Sequence, residues 1–149
     1  MAANTQPIFG RAPHVVLATP ILGPTAVTAT DGTGALEPIF QADPTEGSFV
    51  DNITVKPVGG NTVATVLRVF LCSETGPFTP GTTNQVSNTN LLTELTLPAT
   101  TSINNAARLE YVIPIRRALP PGWRILVSFG TSTGVAGNGY VLTTFGSKF

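Results

Sequence analysis

From Phe49 onward, short runs rich in Val, Ile, Leu, Thr and aromatics alternate with clusters of Gly, Pro and Asn. That punctuation leaves little room for helices and restricts the chain to a series of strands joined by turns, the pattern of an all-β sandwich or barrel. The runs are Phe49 to Val58 (FVDNITVKPV), Val63 to Cys72 (VATVLRVFLC), Leu91 to Leu97 (LLTELTL), Tyr111 to Ile115, Trp123 to Phe129 (WRILVSF) and Tyr140 to Phe145 (YVLTTF). Ile53 and Val55 fall on one face of the first run, and Asn52, Thr54 and Lys56 on the other, the period-two alternation of a half-buried strand. Ala64 to Cys72 is apolar on both faces except for Arg68, which suits a central strand or one whose second face meets a partner. An arginine there needs an ion partner or a route to the surface, and Glu94 and Glu110 are the candidates. Trp123, Ile125, Val127 and Phe129 alternate in a further core strand. Pro121-Gly122 before it suits the two central positions of a type II turn, since Pro presets φ and Gly accepts φ > 0. The expected core is Ile53, Val55, Val66, Leu95, Trp123, Ile125 and Val127.

The first third of the chain is less regular. Residues Met1 to Pro13 are small, polar and broken by Pro7 and Pro13, with Ile8 and Phe9 as the only apolar anchors. They read as an extended N-terminal arm (1–13), ordered only where something ties it down. His14 to Leu17 and Ala35 to Gln41 read as strands, the second confined by Pro38 to an edge or a bulge. Gly23-Pro24 and Asp31-Gly32 mark turns. Thr101 to Arg108 offers one short helical turn. Ser73 to Asn90 is a loop long enough to expect a function of its own, with Phe78 as its apolar anchor. The total is about eight strands in one domain (14–149): an antiparallel β-sandwich, for which closure as a jelly roll is the expected form.

Charge narrows the function classes. Eight basic and eight acidic residues cancel, which leaves no electrostatic footprint for nucleic acid or an acidic membrane. Only 11% of residues are charged, against roughly 25% in an average domain. A surface so poor in charge is weakly protected against association, so other subunits are expected to cover much of it. Cys72 is the single cysteine, so neither a disulfide framework nor a metal knuckle is expected. Met1 leads into Ala-Ala-Asn-Thr-Gln-Pro without a basic segment or an apolar core, so no secretion signal is expected and synthesis belongs in a cytosol. His14 is the only histidine and, with no acid near it in sequence, reads as a structural or surface residue. No Gly-x-Ser-x-Gly is present, and Gly32-Thr33-Gly34 lacks the strand-to-helix setting of a phosphate loop. Asp31, Asp43 and Asp51 lack the spacing of a calcium loop. No catalytic residue, metal or cofactor is therefore expected, and the chain does not read as an enzyme. Arg116-Arg117, the only basic doublet, reads as a solvated strand end or as a contact to a neighbouring subunit, where Arg is favoured over Lys.

Three segments, VDNITVKPVGGNTVATVLRVFL, ELTLPATT and YVIPIRRALPPGWRILVSFGT, resemble in order a family of small structural proteins of tailed bacteriophages. The shared pattern falls at Val58 to Phe70, Glu94 to Thr100 and Ala118 to Ile125, and the likeness spans roughly residues 49–145. The resemblance implies a jelly-roll decoration, or cement, protein on the outer surface of the phage head. Its partners would be the major capsid protein and its own copies, with a trimer suited to threefold lattice sites. It supplies no catalytic residues. Ile8, Phe9, Arg11, Phe78, Arg116 and Arg117 are the expected subunit or capsid contacts. The rival expectation is a tail- or fibre-associated module that binds receptor glycans, with a small carbohydrate-active enzyme behind it.

Overall fold

A computed structural model describes residues 10–17, 21–22, 24–101, 107–132 and 137–149. Ile8 and Phe9, most of the segment read as an arm, and the centre of the turn expected at Thr101 to Arg108 lie outside the described residues. Among the described residues there is no helix. Ten strands form: β1 (Ala12–Pro13), β2 (Val16–Leu17), β3 (Ile21–Leu22), β4 (Glu37–Gln41), β5 (Ser48–Val58), β6 (Thr65–Cys72), β7 (Thr89–Leu97), β8 (Tyr111–Leu119), β9 (Arg124–Phe129) and β10 (Gly139–Lys148).

They make two antiparallel sheets, each four strands wide, packed face to face as a sandwich. Sheet A runs β1-β10-β5-β8, with β2 and β3 also pairing β10 farther along; sheet B runs β4-β9-β6-β7. The N-terminal edge of sheet A is thus one path broken into three two-residue pieces beside β10. Because Ala12 and Pro13 pair with Lys148 and Ser147, the sheet takes up the last residues of the segment read as an arm.

The sequence pattern dictates most of this. Pro38 has no N–H to donate to a ladder, and β4 is an edge strand with a bulge between Pro38 and Phe40. Pro121-Gly122 turns the chain into β9: Gly122 has φ 76° and the Trp123 amide donates to the Pro120 carbonyl at 3.2 Å, the type II arrangement that needs Gly at its third position. The inner faces meet in a core that includes Val50, Ile53, Val55 and Leu142 from sheet A and Leu67, Val69, Ile125 and Val127 from sheet B.

Three expected core positions change status. Leu95 and Trp123 are half-buried and pack on the margin of the core, Trp123 standing just ahead of β9 rather than in it. Val66 is half-buried and belongs to the outer face, since Leu67 is the residue of that pair that enters the core. Ala64 to Cys72 is apolar on both faces, which left the phase undetermined.

The apolar second face of β6 and β9 is covered by the chain itself. Phe70, Cys72 and Leu126 pack with Val27 and Leu36 in a second core, flanked by Ala29 and Phe78. Two segments, 24–36 and 73–88, form this cover. The amide nitrogen of buried Asn84 donates to the carbonyls of Gly32 (2.7 Å) and Gly34 (2.8 Å), while its oxygen accepts from the Gly81 amide at 2.8 Å. The Val27 amide donates to Phe129 O at 2.8 Å. Buried Arg124 donates to the carbonyls of Glu74 and, at 2.6 Å, of Gly76, and lies 5.5 Å from the centre of the Phe78 ring. The long loop from Ser73 to Asn90 thus contributes Phe78, Asn84 and two carbonyls to the roof of sheet B and leaves Val86 exposed.

Phe70→Ala should cost about 3–5 kcal/mol, because it empties the centre of the second core, and Trp123→Ala should cost less, because that ring already meets water. Urea unfolding of both variants checks the order; a larger loss for Trp123→Ala would overturn this description of the two cores.

Candidate interaction surface

The outer faces of the two sheets differ. Sheet B is roofed, whereas among the described residues no segment covers sheet A. The register aligns Thr143, Thr54 and Val112 in one row across β10, β5 and β8, and Phe145, Asn52 and Pro114 in the next. The His14 amide donates to Gly146 O at 2.9 Å, and the pairs Pro13↔Ser147 and Val16↔Thr144 on either side bring Val15 beside Phe145. Val15 is 47% exposed, Phe145 37% and Val112 59%. These two rows carry no charge; exposed Lys56, paired with Val141, stands in the next row of the same face. A face of Val, Phe, Pro and Thr suits contact with another protein better than free solution. Alternation alone could not find it: Asn52 and Thr54 look like an ordinary solvated face until the register shows what lies beside them.

The expected contact residues are not brought together. Arg11 is exposed, but its guanidinium pairs with Glu46 and its Nε donates to the Phe149 carbonyl at 2.9 Å. Phe78 is half-buried against the second core and Arg124. Arg116 and Arg117 are exposed on β8, and their side chains form no hydrogen bond or ion pair among the described residues. Arg11, next to β1, and Arg117, on β8, thus lie toward opposite edges of sheet A, while Phe78 lies over the opposite sheet. Arg68 pairs with Glu94 at 2.8 Å, one of its two expected partners, and also donates to Val27 O at 3.1 Å. It therefore helps hold the roof.

One cluster has the ingredients of nucleophilic catalysis. Ser48 Oγ lies 3.0 Å from His14 Nδ1, and Asp43 is close by. Its connections are those of a structural tie. Ser48 is fully buried, and its oxygen also accepts from the Asp43 amide at 3.0 Å. The Asp43 carboxylate is engaged by Lys148 Nζ at 2.9 Å and by the amides of Thr45 (2.9 Å) and Glu46 (3.1 Å). With Arg11 and Glu46 these groups fasten the N-terminal edge, the β4–β5 turn and the end of β10 to one another. Among the described residues no group of His, Cys, Asp and Glu has the arrangement to hold a metal ion, and no helix is long and apolar enough to cross a membrane. A shallow cavity of about 230 Å³ lies between Pro98–Thr101 and Ala107–Tyr111, with highly exposed Leu109 on its wall.

No family model, no curated protein and no solved structure matches this chain.

The tie has a pH signature. Burial first, and then the positive charge of Lys148, hold the His14 imidazolium below its ordinary pKa of 6.5, against a smaller opposing effect of Asp43. The unfolded chain therefore takes up the proton at higher pH than the folded one. The contribution to stability is complete above about pH 6.5 and is lost as pH falls through that value toward the lower folded pKa. Asp43 is held below its ordinary 3.8, first by its hydrogen bond from Lys148, so its contribution persists until lower pH and disappears only there. His14→Gln should flatten the fall in melting temperature between pH 7.5 and 5; an unchanged slope would remove His14 as its source.

Proposed function

We propose that this chain is a virion structural protein of a tailed bacteriophage: a jelly-roll decoration, or cement, protein that binds the assembled major capsid lattice on the outer surface of the head. The observation that carries the reading is the outer face of sheet A, which no described residue covers and whose two uncharged rows include exposed Val112 and Phe145, in a chain whose other large apolar surface is already roofed. The three-segment resemblance supports the same class.

The strand order supports the jelly roll. If β1, β2 and β3 count as one broken strand, the chain has eight strands, and successive strands enter the sheets in the order A, B, A, B, B, A, B, A, giving the neighbours first-β10-β5-β8 and β4-β9-β6-β7. That interleaving is what two nested Greek keys produce. A module of this kind needs no catalytic group, metal, cofactor, nucleic acid or membrane. It acts by mass action: a ligand that binds only the assembled shell stabilises it against opening. Bridging several capsid subunits adds avidity to individually weak contacts, and a cyclic homotrimer fits the threefold sites of such a shell.

The second reading is a tail- or fibre-associated module that binds receptor glycans. It draws on the cavity at Tyr111, which has the shape of a shallow sugar site but only that one aromatic in its lining.

Virions lacking this protein should assemble, then lose DNA or rupture at lower temperature or under milder osmotic shock than complete ones. Cryo-electron microscopy should find hundreds of copies on the head. Copies confined to the tail, or intact particles that simply fail to attach to cells, would overturn the decoration reading.

A further inference from the structure

Five of the eight cations are engaged within the chain. Arg11, Arg68 and Lys148 form ion pairs, and Arg108 and Arg124 donate to backbone carbonyls. Lys56 on β5 and Arg116 and Arg117 on β8 are left, all in sheet A. Arg116 and Arg117 are consecutive, exposed and on an edge strand.

The backbone beneath them is distorted. Asn52 pairs with Pro114 and Val50 with Arg117, so Ile115 and Arg116 together oppose the single residue Asp51. On the other side of β5, Asn52 pairs with Phe145 and Val50 with Gly146, so Asp51 is an extra residue there too. The irregularity thus runs across three strands. Within it Arg116 has φ 49°, the only positive φ of a non-glycine among the described residues. Glycine adopts that conformation freely and a larger residue does not. Keeping a long cationic side chain at a position that favours glycine points to a use for the side chain. Asp51 does not neutralise it: the Asp51 carboxylate accepts from Asn52 Nδ2 at 2.8 Å and forms no ion pair among the described residues.

We propose that Arg116 and Arg117 form a docking site for the carboxylates of an acidic strand or loop on a protein partner. The inference rests on the capsid-binding reading and names the chemistry of the partner's contact. A guanidinium presents a planar fork that matches a carboxylate with two parallel hydrogen bonds. Val112 and Pro114 on the same strand are exposed and uncharged, the setting in which a partner's approach would strip water from such a contact. Carboxylates are favoured over nucleic-acid phosphates because the site has two arginines beside an aspartate, in a chain of zero net charge, whereas a phosphate track needs a continuous basic stripe. The competing account is that the doublet, with Pro114 and the bulge, only guards the β8 edge against pairing with another strand.

The test is an NMR titration of the full-length ¹⁵N-labelled protein with hexaglutamate at low salt, run beside inorganic phosphate and a short DNA duplex. Hexaglutamate should shift the Arg116 and Arg117 signals. Its affinity should fall at least about tenfold in Arg117→Gln and in Arg116→Gly, the weight of a charged hydrogen bond, and should not change in Lys56→Gln. Arg116→Gly should also melt higher than the parent, because the strained φ is relieved while the binding is lost. No response to hexaglutamate, or phosphate or duplex binding as tightly at the same residues, would overturn the proposal. So would an Arg117→Gln variant that self-associates and binds hexaglutamate as before, the result the edge-guard account requires. The titration uses no virion, so failure here leaves the decoration reading to be judged separately by where the protein sits on the particle.

Discussion

Six consecutive residues of β9, Arg124–Phe129, are buried, and a strand buried on both sides must have both faces covered. On one side Ile125, Val127 and Phe129 meet sheet A. On the other, Leu126 meets segments 24–36 and 73–88. The second contact sets much of the remaining design. It requires a long loop that does not extend into solvent and a way to hold irregular backbone against a sheet without leaving its polar groups unpaired. Asn84 meets that need with both ends of its amide, and Arg124 does so with carbonyls and the face of Phe78. Arg124 has no carboxylate partner among the described residues. Removing it would leave carbonyls unpaired beneath the roof, whereas the intact arrangement keeps its charge solvated by dipoles.

With sheet B roofed, no described residue covers the outer face of sheet A, and the chain's few charges follow that division. Ion pairs gather where segments must be fastened: Arg11 with Glu46, Lys148 with Asp43, Arg68 with Glu94. Exposed pairs of this kind add little stability individually. Their value here is geometric, because each joins segments far apart in sequence: the N-terminal edge to the β4–β5 turn, the end of β10 to that same turn, and β6 to β7. The cations without partners lie in β5 and β8.

Much of the fold was legible in the sequence because strand, turn and edge each have a local cause. Alternation located β5, β9 and β10 within a few residues; Pro38 marked an edge with a bulge, and Pro121-Gly122 marked the turn that the structure contains. What was not legible depends on contacts distant in sequence. Val66 and Leu67 are equally apolar, and only pairing with β7 and β9 decides which one enters the core. The loop from Ser73 to Asn90 is polar in composition, and nothing local says that Asn84 reaches Gly32 and Gly34, some fifty residues away. An aromatic in a polar loop likewise has no local sign of what it packs on, and Phe78 is half-buried against the second core.

The candidate surface was hidden by a related ambiguity. Period two separates two faces of a strand but cannot tell a face that meets water from one that meets a partner. Asn52 and Thr54 read as solvent-facing, and taken strand by strand they are. Only the register, which lines them up with Phe145, Pro114, Thr143 and Val112, turns isolated residues into two adjacent uncharged rows. The Arg116-Arg117 doublet was visible as a motif, but its distinguishing property, a positive φ held by an arginine within a bulge, belongs to the pairing of β8 with β5 and has no counterpart in composition. In a sandwich of this kind, local sequence specifies where strands begin and end. Function has to be sought in the rows that run across them, which exist only after the sheets have formed.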